Sequence, residues 1–187
     1  MRKLSSFKIF LHSILLFPAM VFAQKLLPQT PDKPKLIIGI VIDQMRYDFL
    51  YRYADKYSKG GFKRLMSQGF NNKNAQYPYV PTYTAPGHSC IFTGSIPAIN
   101  GMVGNDWYSR TSKKDIYCTE DTTVSSVGGT GKVGQMSPKN LLVTTITDQL
   151  RLATNFHSRV IGISQKDRAS ILPAGHTANA AYWLDSQ

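Results

Sequence analysis

The chain has 187 residues, of which 42% are hydrophobic and 18% are charged. These proportions exclude a disordered polar chain and suit one globular domain or part of a larger one. The formal net charge of +11 attracts anions. Because the basic residues are scattered along the sequence, we expect small phosphorylated molecules, and no nucleic acid, as partners.

The first residues have the features of a cleavable export signal. Arg2, Lys3 and Lys8 give a positive start, an apolar stretch follows from Ile9 to Phe22, and Val21-Phe22-Ala23 resembles a small-residue cleavage site. The apolar stretch is short for a membrane anchor. We therefore predict a signal peptide over 1–23, a periplasmic or secreted protein, and no stable membrane span after cleavage.

The next two segments are a linker and the start of a domain. Prolines at 28, 31 and 34 predict an extended linker over 24–35, and a single domain is expected over 36–187. It begins with Leu36 to Ile42, a continuous, mostly β-branched run that is typical of a buried parallel strand. Asp43 follows directly, at the end of the strand where α/β sheets bind ligands. The Asp43 carboxylate suits either a metal ion or the cap of the next turn.

Further along the chain, the apolar spacing predicts helices over residues 47–58, 62–68, 84–93 and 137–155. Extended segments are predicted over 70–79 and 158–164, and a hairpin or an irregular excursion over 107–119. Strands that alternate with helices predict an α/β fold with a mainly parallel sheet and helices on both faces.

The turn from Pro81 to His88, with the sequence PTYTAPGH, contains the most informative hydroxyl, that of Thr84. Thr84 falls at the start of a predicted helix, where free backbone N–H groups and the helix dipole favour a phosphate and favour an alkoxide. A zinc ion at the same point would lower the pKa of the hydroxyl further. Taken alone, the turn also fits an ordinary threonine at a helix N-cap.

Asp43, this turn, and the downstream segments TGSIP (93–97) and GNDW (104–107) together resemble the alkaline phosphatase superfamily. The resemblance is closest to the branch that contains nucleotide pyrophosphatase/phosphodiesterases and threonine-nucleophile phosphatases. It implies that Thr84 is the nucleophile, that Asp43 and Thr84 bind one zinc ion, and that Asn105 binds a phosphoryl oxygen. Many relatives have His where this chain has Asn100, so Asn100 is given no role.

The segment Lys166-Asp167-Arg168 bears on the choice between monoesters and diesters. In the threonine-nucleophile monoesterases a Lys-x-Arg pair contacts the transferred phosphoryl group, which implies the same role for Lys166 and Arg168. A monoester has one more unsubstituted oxygen than a diester, and arginine can bind such oxygens bidentately while lysine adds a point charge. Without the resemblance, the segment would be interpreted as a solvent-exposed turn.

The resemblance thus implies hydrolysis of phosphate monoesters through a covalent phosphothreonine at a site with two zinc ions. The remaining metal ligands of the relatives lie beyond the position that matches Gln187. We therefore expect an incomplete sheet and an inactive 187-residue chain. The alternatives are a phosphodiesterase or nucleotide pyrophosphatase of the same superfamily, and an exported, non-catalytic remnant that binds phosphate.

Several features stay open at this point. Cys90 and Cys118 are the two cysteines, and an exported chain can join them, but their spacing does not show a disulfide. His88 is expected to pack against the protein, and His176 to shape the pocket without binding metal. The sequence indicates neither the natural substrate nor the oligomeric state.

Overall fold

The structure is a computed structural model that describes residues 33–129 and 131–185. The predicted signal peptide and residues 24–32 of the predicted linker lie outside this part. In the described ranges, no helix combines the length and the apolar character needed to cross a membrane. The chain divides into one unit over Met1–Ile40 and another over Val41–Gln187.

The predicted first strand is not formed. Residues 36–42 belong to neither of the sheets found in the described ranges. Leu36, Ile37, Ile38 and Ile40 expose 67% to 78% of their surface. The apolar, β-branched sequence favours an extended backbone, but a strand also requires the N–H and C=O groups of a neighbour. The prediction of a buried strand is therefore wrong for the described residues.

The second unit contains six α-helices in its described part. They are α1 (Phe49–Arg52), α2 (Gly61–Gln68), α3 (Thr84–Thr93), α4 (Pro97–Asn100), α5 (Ile146–Ala153) and α6 (Asp167–Ala174). A short 3-10 helix covers Gly131–Gly134. Helix α3 ends at Gly94, whose φ of 65° is the left-handed conformation that glycine adopts without strain. The predicted helices over 62–68 and 84–93 are confirmed.

The predicted helix over 137–155 is shorter than expected. The Ser137 hydroxyl accepts from the Lys139 N–H at 3.1 Å, as a cap would, and donates to Asp121 Oδ2 at 2.6 Å, but residues 137–145 form no helix. Helix α5 begins instead after Thr145, where the Thr145 and Asp148 side chains each bond to the other's backbone N–H in a capping box. The predicted helix over 47–58 is likewise reduced to α1, with turns after it.

Four strands form two small sheets in the described residues. Strands β1 (Asp106–Ser109) and β2 (Lys114–Tyr117) form an antiparallel hairpin in which Asp106 lies opposite Tyr117. Strands β3 (Ile161–Ile163) and β4 (Ala180–Tyr182) are parallel, and α6 connects them. The predicted hairpin and the strand within 158–164 are both confirmed, and β3–α6–β4 is a parallel unit of the predicted α/β kind.

The core brings together the elements that carry the candidate residues. Its buried members are Ala85, Met102, Cys118, Leu141 and Leu172, with Trp107 and Tyr117 packed against them. These side chains come from α3, the hairpin, α6 and the segments between them. Helix α3 packs against α6. The starts of these two helices are thus held by one apolar cluster.

Candidate active site

Thr84 is the first residue of α3 and is half-buried. Its Oγ1 donates a hydrogen bond to Asp43 Oδ2 at 2.9 Å, across 41 positions of sequence. Asp43 is exposed and sits in the turn before α1. The fold thus places the two residues that the resemblance assigned to one metal ion in direct contact.

Asn105 contacts the same helix start. Its side-chain Oδ1 accepts from the Ala85 N–H at 3.0 Å, and its backbone oxygen accepts from the Cys118 N–H at 2.9 Å. Since the amide oxygen is engaged, the orientation of the amide is fixed and its NH2 group remains as the donor. Asn105 is therefore bonded to the residue after Thr84, and its NH2 group is left as a possible donor.

A cleft of about 390 Å³ opens beside this pair. Asp43, Thr84, Arg46 and Tyr77 are among the residues that line it. Its volume lies within the range of small-molecule sites. The nucleophile candidate is therefore accessible to a small ester.

His88 supports the turn from inside. It is 6% exposed, and its Nδ1 lies 2.8 Å from the Thr84 backbone oxygen. Because a carbonyl oxygen only accepts, Nδ1 carries the proton and donates. His88 fixes the first turn of α3, as expected of a packed histidine.

Lys166 and Arg168 flank the start of α6 and differ in their surroundings. Lys166 is the residue before the helix and is exposed. No hydrogen bond or ion pair joins its ammonium group to any residue of the described ranges. Arg168 is half-buried, its Nη1 donates to Tyr117 Oη at 2.7 Å, and its guanidinium carbon lies 5.9 Å from the centre of the Tyr117 ring.

Tyr117 belongs to a buried polar network that the sequence did not indicate. Its hydroxyl donates to Asp167 Oδ1 at 2.8 Å, and Thr119 Oγ1 donates to Asp167 Oδ2 at 2.5 Å. Burial, and next the hydrogen bond with Asp167, raises the pKa of Tyr117 to about 12. The hydroxyl therefore keeps its proton at neutral and moderately alkaline pH.

The structure brings some of the candidate residues together directly and others only through packing. Thr84 contacts Asp43, and Asn105 bonds to the residue after Thr84. Within the described part of the chain, no hydrogen bond or ion pair links Lys166 or Arg168 to these three residues. Helix α6 packs against α3, and its residues Asp167 and Arg168 bond to Tyr117 of the hairpin.

A metal ion would find two suitable ligands here. The Asp43 carboxylate and the Thr84 hydroxyl are oxygen donors whose atoms converge to 2.9 Å, and both are groups that bind zinc in catalytic sites. No group of three or more His, Cys, Asp and Glu side chains suited to a metal ion occurs in residues 33–129 and 131–185. The described residues therefore fit part of one metal site.

The other residues raised by the sequence have structural surroundings. Cys90 and Cys118 are free thiols, and burial raises the pKa of Cys118 to about 12. Asn100 is fully buried, and its side chain bonds to the Ser95 oxygen at 3.1 Å and the Met102 N–H at 2.9 Å. His176 is exposed, with Nε2 at 3.3 Å from the Val143 oxygen.

Comparison with known proteins identifies relatives over most of the chain. The type I phosphodiesterase / nucleotide pyrophosphatase family matches residues 37–187. A Myroides odoratus protein described as a calcium-transporting ATPase is 65% identical over 156 residues, which are 83% of this chain and 28% of that protein. The alkaline phosphatase PhoV of Synechococcus elongatus is 60% identical over 158 residues, covering 84% of this chain and 29% of PhoV.

Solved structures agree with these matches. The crystal structure of wild-type alkaline phosphatase PafA superposes with a TM-score of 0.82 at 57% identity, covering 83% of this chain and 30% of PafA. A PafA variant substituted at a threonine, an asparagine, a lysine and an arginine superposes with a TM-score of 0.81 at 55% identity. The likeness confirms the predicted alkaline-phosphatase-like fold class. The chain spans about three tenths of the length of these relatives.

Proposed function

The chain belongs to the type I phosphodiesterase / nucleotide pyrophosphatase family, and from this premise we propose that it carries the nucleophile-bearing part of an exported alkaline phosphatase. The proposed reaction is hydrolysis of small phosphate monoesters through a covalent phosphothreonine at Thr84. Similarity to the alkaline phosphatases PhoV and PafA supports this reaction class. The predicted signal peptide over 1–23 supports a periplasmic or secreted location.

The hydrogen bond from Thr84 Oγ1 to Asp43 Oδ2 at 2.9 Å is the observation that carries the proposal. A threonine hydroxyl is a weak nucleophile at its ordinary pKa and needs activation. Thr84 lies at a helix N-terminus, which favours negative charge on its oxygen, and the Asp43 carboxylate accepts the hydroxyl hydrogen. The lone pairs of Oγ1 are thereby left for attack on phosphorus.

In the proposed first step, Thr84 Oγ1 forms a bond to phosphorus and releases its proton to solvent, while the bond from phosphorus to the ester oxygen breaks and the alcohol leaves with a proton taken from solvent. In the second step, a water oxygen forms a bond to phosphorus and the bond from phosphorus to Thr84 Oγ1 breaks. Phosphate is released, and one proton of the attacking water restores the Thr84 hydroxyl. Two zinc ions are the proposed cofactors: Asp43 and Thr84 would hold one, and zinc supplies a lowered pKa of bound oxygen and stabilisation of developing charge.

Asn105, Lys166 and Arg168 are the proposed ligands of the phosphoryl oxygens. The substituted PafA variant supports this assignment, because its altered threonine and asparagine have the same sequence separation as Thr84 and Asn105, and its lysine and arginine are spaced as Lys166 and Arg168 are. Three donor groups suit the three unsubstituted oxygens of a monoester. The 187-residue chain alone is expected to be inactive, because its described residues provide only Asp43 and Thr84 towards a metal ion.

Phosphodiester hydrolysis is the second candidate, since the matching family is described by that activity. The two candidates differ in the use of Lys166 and Arg168. A diesterase has to accommodate a second ester group where a monoesterase binds a bare oxygen, so charge at this point favours the monoester.

The test compares 4-nitrophenyl phosphate with bis(4-nitrophenyl) phosphate on the zinc-loaded, full-length gene product. We expect kcat/KM to be higher for the monoester by at least about 100-fold. We also expect a rapidly quenched reaction to give phosphate on the tryptic peptide that contains Thr84. A preference for the diester would favour the second candidate, and labelling of any other residue would remove Thr84 as nucleophile.

A further inference from the structure

We propose that Tyr117 is a positioning residue, whose hydroxyl, held by Asp167, fixes the guanidinium group of Arg168 where the transferred phosphoryl group binds. The inference rests on the proposed function, because only there does Arg168 contact a phosphoryl oxygen. Tyr117 itself is not assigned any contact with the substrate.

The directions of the hydrogen bonds in this network are forced by chemistry. The Asp167 carboxylate only accepts hydrogen bonds, so the Tyr117 hydroxyl donates its single proton to Asp167 Oδ1 at 2.8 Å. The guanidinium of Arg168 only donates, so its Nη1, at 2.7 Å, uses a lone pair of the same hydroxyl. Each bond fixes the direction of the other, and the hydroxyl cannot rotate without losing one of them.

The hydrogen-bond partner of Arg168 is the neutral hydroxyl of Tyr117. This partner does not neutralise the positive charge of the guanidinium group. Both oxygens of Asp167 are engaged by hydroxyls, because Thr119 Oγ1 donates to Oδ2 at 2.5 Å. Within residues 33–129 and 131–185, no ion pair joins Arg168 to a carboxylate. Tyr117 therefore restrains Arg168 through one N–H of Nη1. The Nε N–H is buried without a partner in the described residues, and the positive charge and the remaining Nη N–H groups are left for an anion.

The hairpin also connects Arg168 to the other end of the proposed site. Tyr117 is the last residue of β2 and lies opposite Asp106, the first residue of β1. Asn105 precedes Asp106, and its side chain bonds to the Ala85 N–H beside Thr84. At one end of the hairpin, Asn105, a proposed phosphoryl ligand, thus lies next to β1, and Tyr117, which restrains Arg168, lies on β2.

The test uses Tyr117→Phe in the zinc-loaded, full-length gene product, with Tyr108→Phe as the matched control. The phenylalanine keeps the ring under the guanidinium and removes only the hydroxyl. Tyr108 lies in the same hairpin, on β1, and is 59% exposed. We expect Tyr117→Phe to lower kcat/KM for the monoester about 10-fold and to change kcat/KM for the diester less than about 2-fold. The control Tyr108→Phe should have kcat/KM values close to those of the wild type.

A double-mutant cycle with Arg168→Ala separates positioning from general stability. If Tyr117 acts through Arg168, adding Tyr117→Phe to Arg168→Ala causes no further loss. If Tyr117→Phe lowers kcat/KM by the same factor in the wild type and in Arg168→Ala, the inference is overturned. It is also overturned if Arg168→Ala is slow on the monoester while Tyr117→Phe reacts at the wild-type rate. If Arg168→Ala itself leaves the monoester rate unchanged, the proposed phosphoryl contact fails, and the positioning inference fails with it.

Asp167→Asn is the second variant, in case Tyr117→Phe does not fold. It keeps the tyrosine and removes the charge that orders its hydroxyl. We expect a smaller loss on the monoester that again disappears in the Arg168→Ala background. Additive losses in this cycle would also overturn the inference.

Discussion

The helices α3 and α6 pack against each other, and the candidate residues at their starts differ in how fully they are bonded to other segments. At the start of α3, the groups are bonded to partners from other segments: Thr84 to Asp43, and the Ala85 N–H to Asn105. At the start of α6, Arg168 is held by Tyr117, while the exposed Lys166 has no bonded partner in the described residues.

This difference separates groups that must be accurately placed from groups that supply charge. A nucleophile gains rate from being held near its attack geometry before the substrate arrives. A long, exposed lysine contributes a point charge and loses rotamer freedom when it binds, which reduces its net effect. The described residues therefore hold Thr84, the proposed nucleophile, and Arg168 in place, and in the proposed mechanism Lys166 becomes ordered when the anion binds.

The largest expected effect is at Thr84. Thr84→Ala removes the proposed nucleophile, and kcat for the monoester should fall by at least about 1,000-fold in the full-length gene product. Thr82→Ala is the matched control, because Thr82 is exposed in the same turn, and it should retain most of the activity. Steady-state kinetics of both variants checks this, and comparable losses would show that the turn matters only for folding.

The next effect contrasts the two cations of α6. Arg168→Ala should lower kcat/KM for the monoester on the order of 100-fold, and Lys166→Ala on the order of 10-fold, because only the arginine is positioned in advance. Kinetics on the monoester and the diester gives both values. An equal or larger loss for Lys166→Ala would mean that the restraint by Tyr117 has little value for catalysis.

Asn105 should have a smaller effect that depends on its donor group. Asn105→Ala should cost about 10-fold in kcat/KM for the monoester. Asn105→Asp retains an oxygen for the Ala85 N–H but has no N–H and adds negative charge, so it should be at least as slow while its circular dichroism matches wild type. A wild-type rate for Asn105→Asp would assign Asn105 to bracing α3 and not to binding phosphate.

The smallest effect on catalysis is expected at Asp148 of α5, which is bonded to Thr177, just after the end of α6. Its buried carboxylate accepts from the N–H and hydroxyl groups of Thr145 and Thr177 at 2.7–2.9 Å. Burial opposes ionisation, but the hydrogen bonds from these backbone groups outweigh it and lower the pKa of Asp148. A lowered pKa in the folded state means that this stabilisation is present above the unfolded value of about 3.9 and is lost as the pH falls through the folded value.

Asp148→Asn should therefore reduce the free energy of unfolding by about 1–3 kcal/mol at pH 7 and flatten its fall below about pH 4. Urea titrations at a series of pH values measure both effects, with the exposed Asp115→Asn as the control. The rate per folded molecule should change less than about 2-fold. A selective loss of monoester activity would show that restraint at both ends of α6 is needed to place Arg168.

Local sequence predicted the parts of this fold that depend on local chemistry. The helix from Thr84, its end at Gly94 and the hairpin within 107–119 follow from turn residues and spacing. The strand at 36–42 was predicted from composition, yet strand pairing depends on neighbours that composition does not specify. Ser137 accepts from the Lys139 N–H as a helix cap would, yet only a turn follows it and the helix begins at Ile146, after the capping box of Thr145 and Asp148.

The candidate site likewise contains residues that the sequence predicted and residues that only the folded arrangement reveals. Asp43, Thr84 and Asn105 were predicted from family motifs. The structure bonds Thr84 to Asp43 and Asn105 to the Ala85 N–H, and their roles in catalysis stay predictions. Tyr117 carries no motif, and its bond to Arg168 spans 51 positions. Nothing in a tyrosine at the end of a short strand distinguishes it from an ordinary aromatic residue of a hairpin, so only the folded arrangement reveals the network.

The two free thiols have a practical consequence for the biochemist. Because no disulfide joins Cys90 and Cys118, folding of the described residues requires no oxidative pairing, and reductants can be present throughout purification. The buried Cys118, whose thiol stays protonated below about pH 12, will resist alkylation in the native protein. A maleimide that reacts faster at Cys90 would attach a fluorophore to α3 itself, which would report movement of the helix that begins at Thr84.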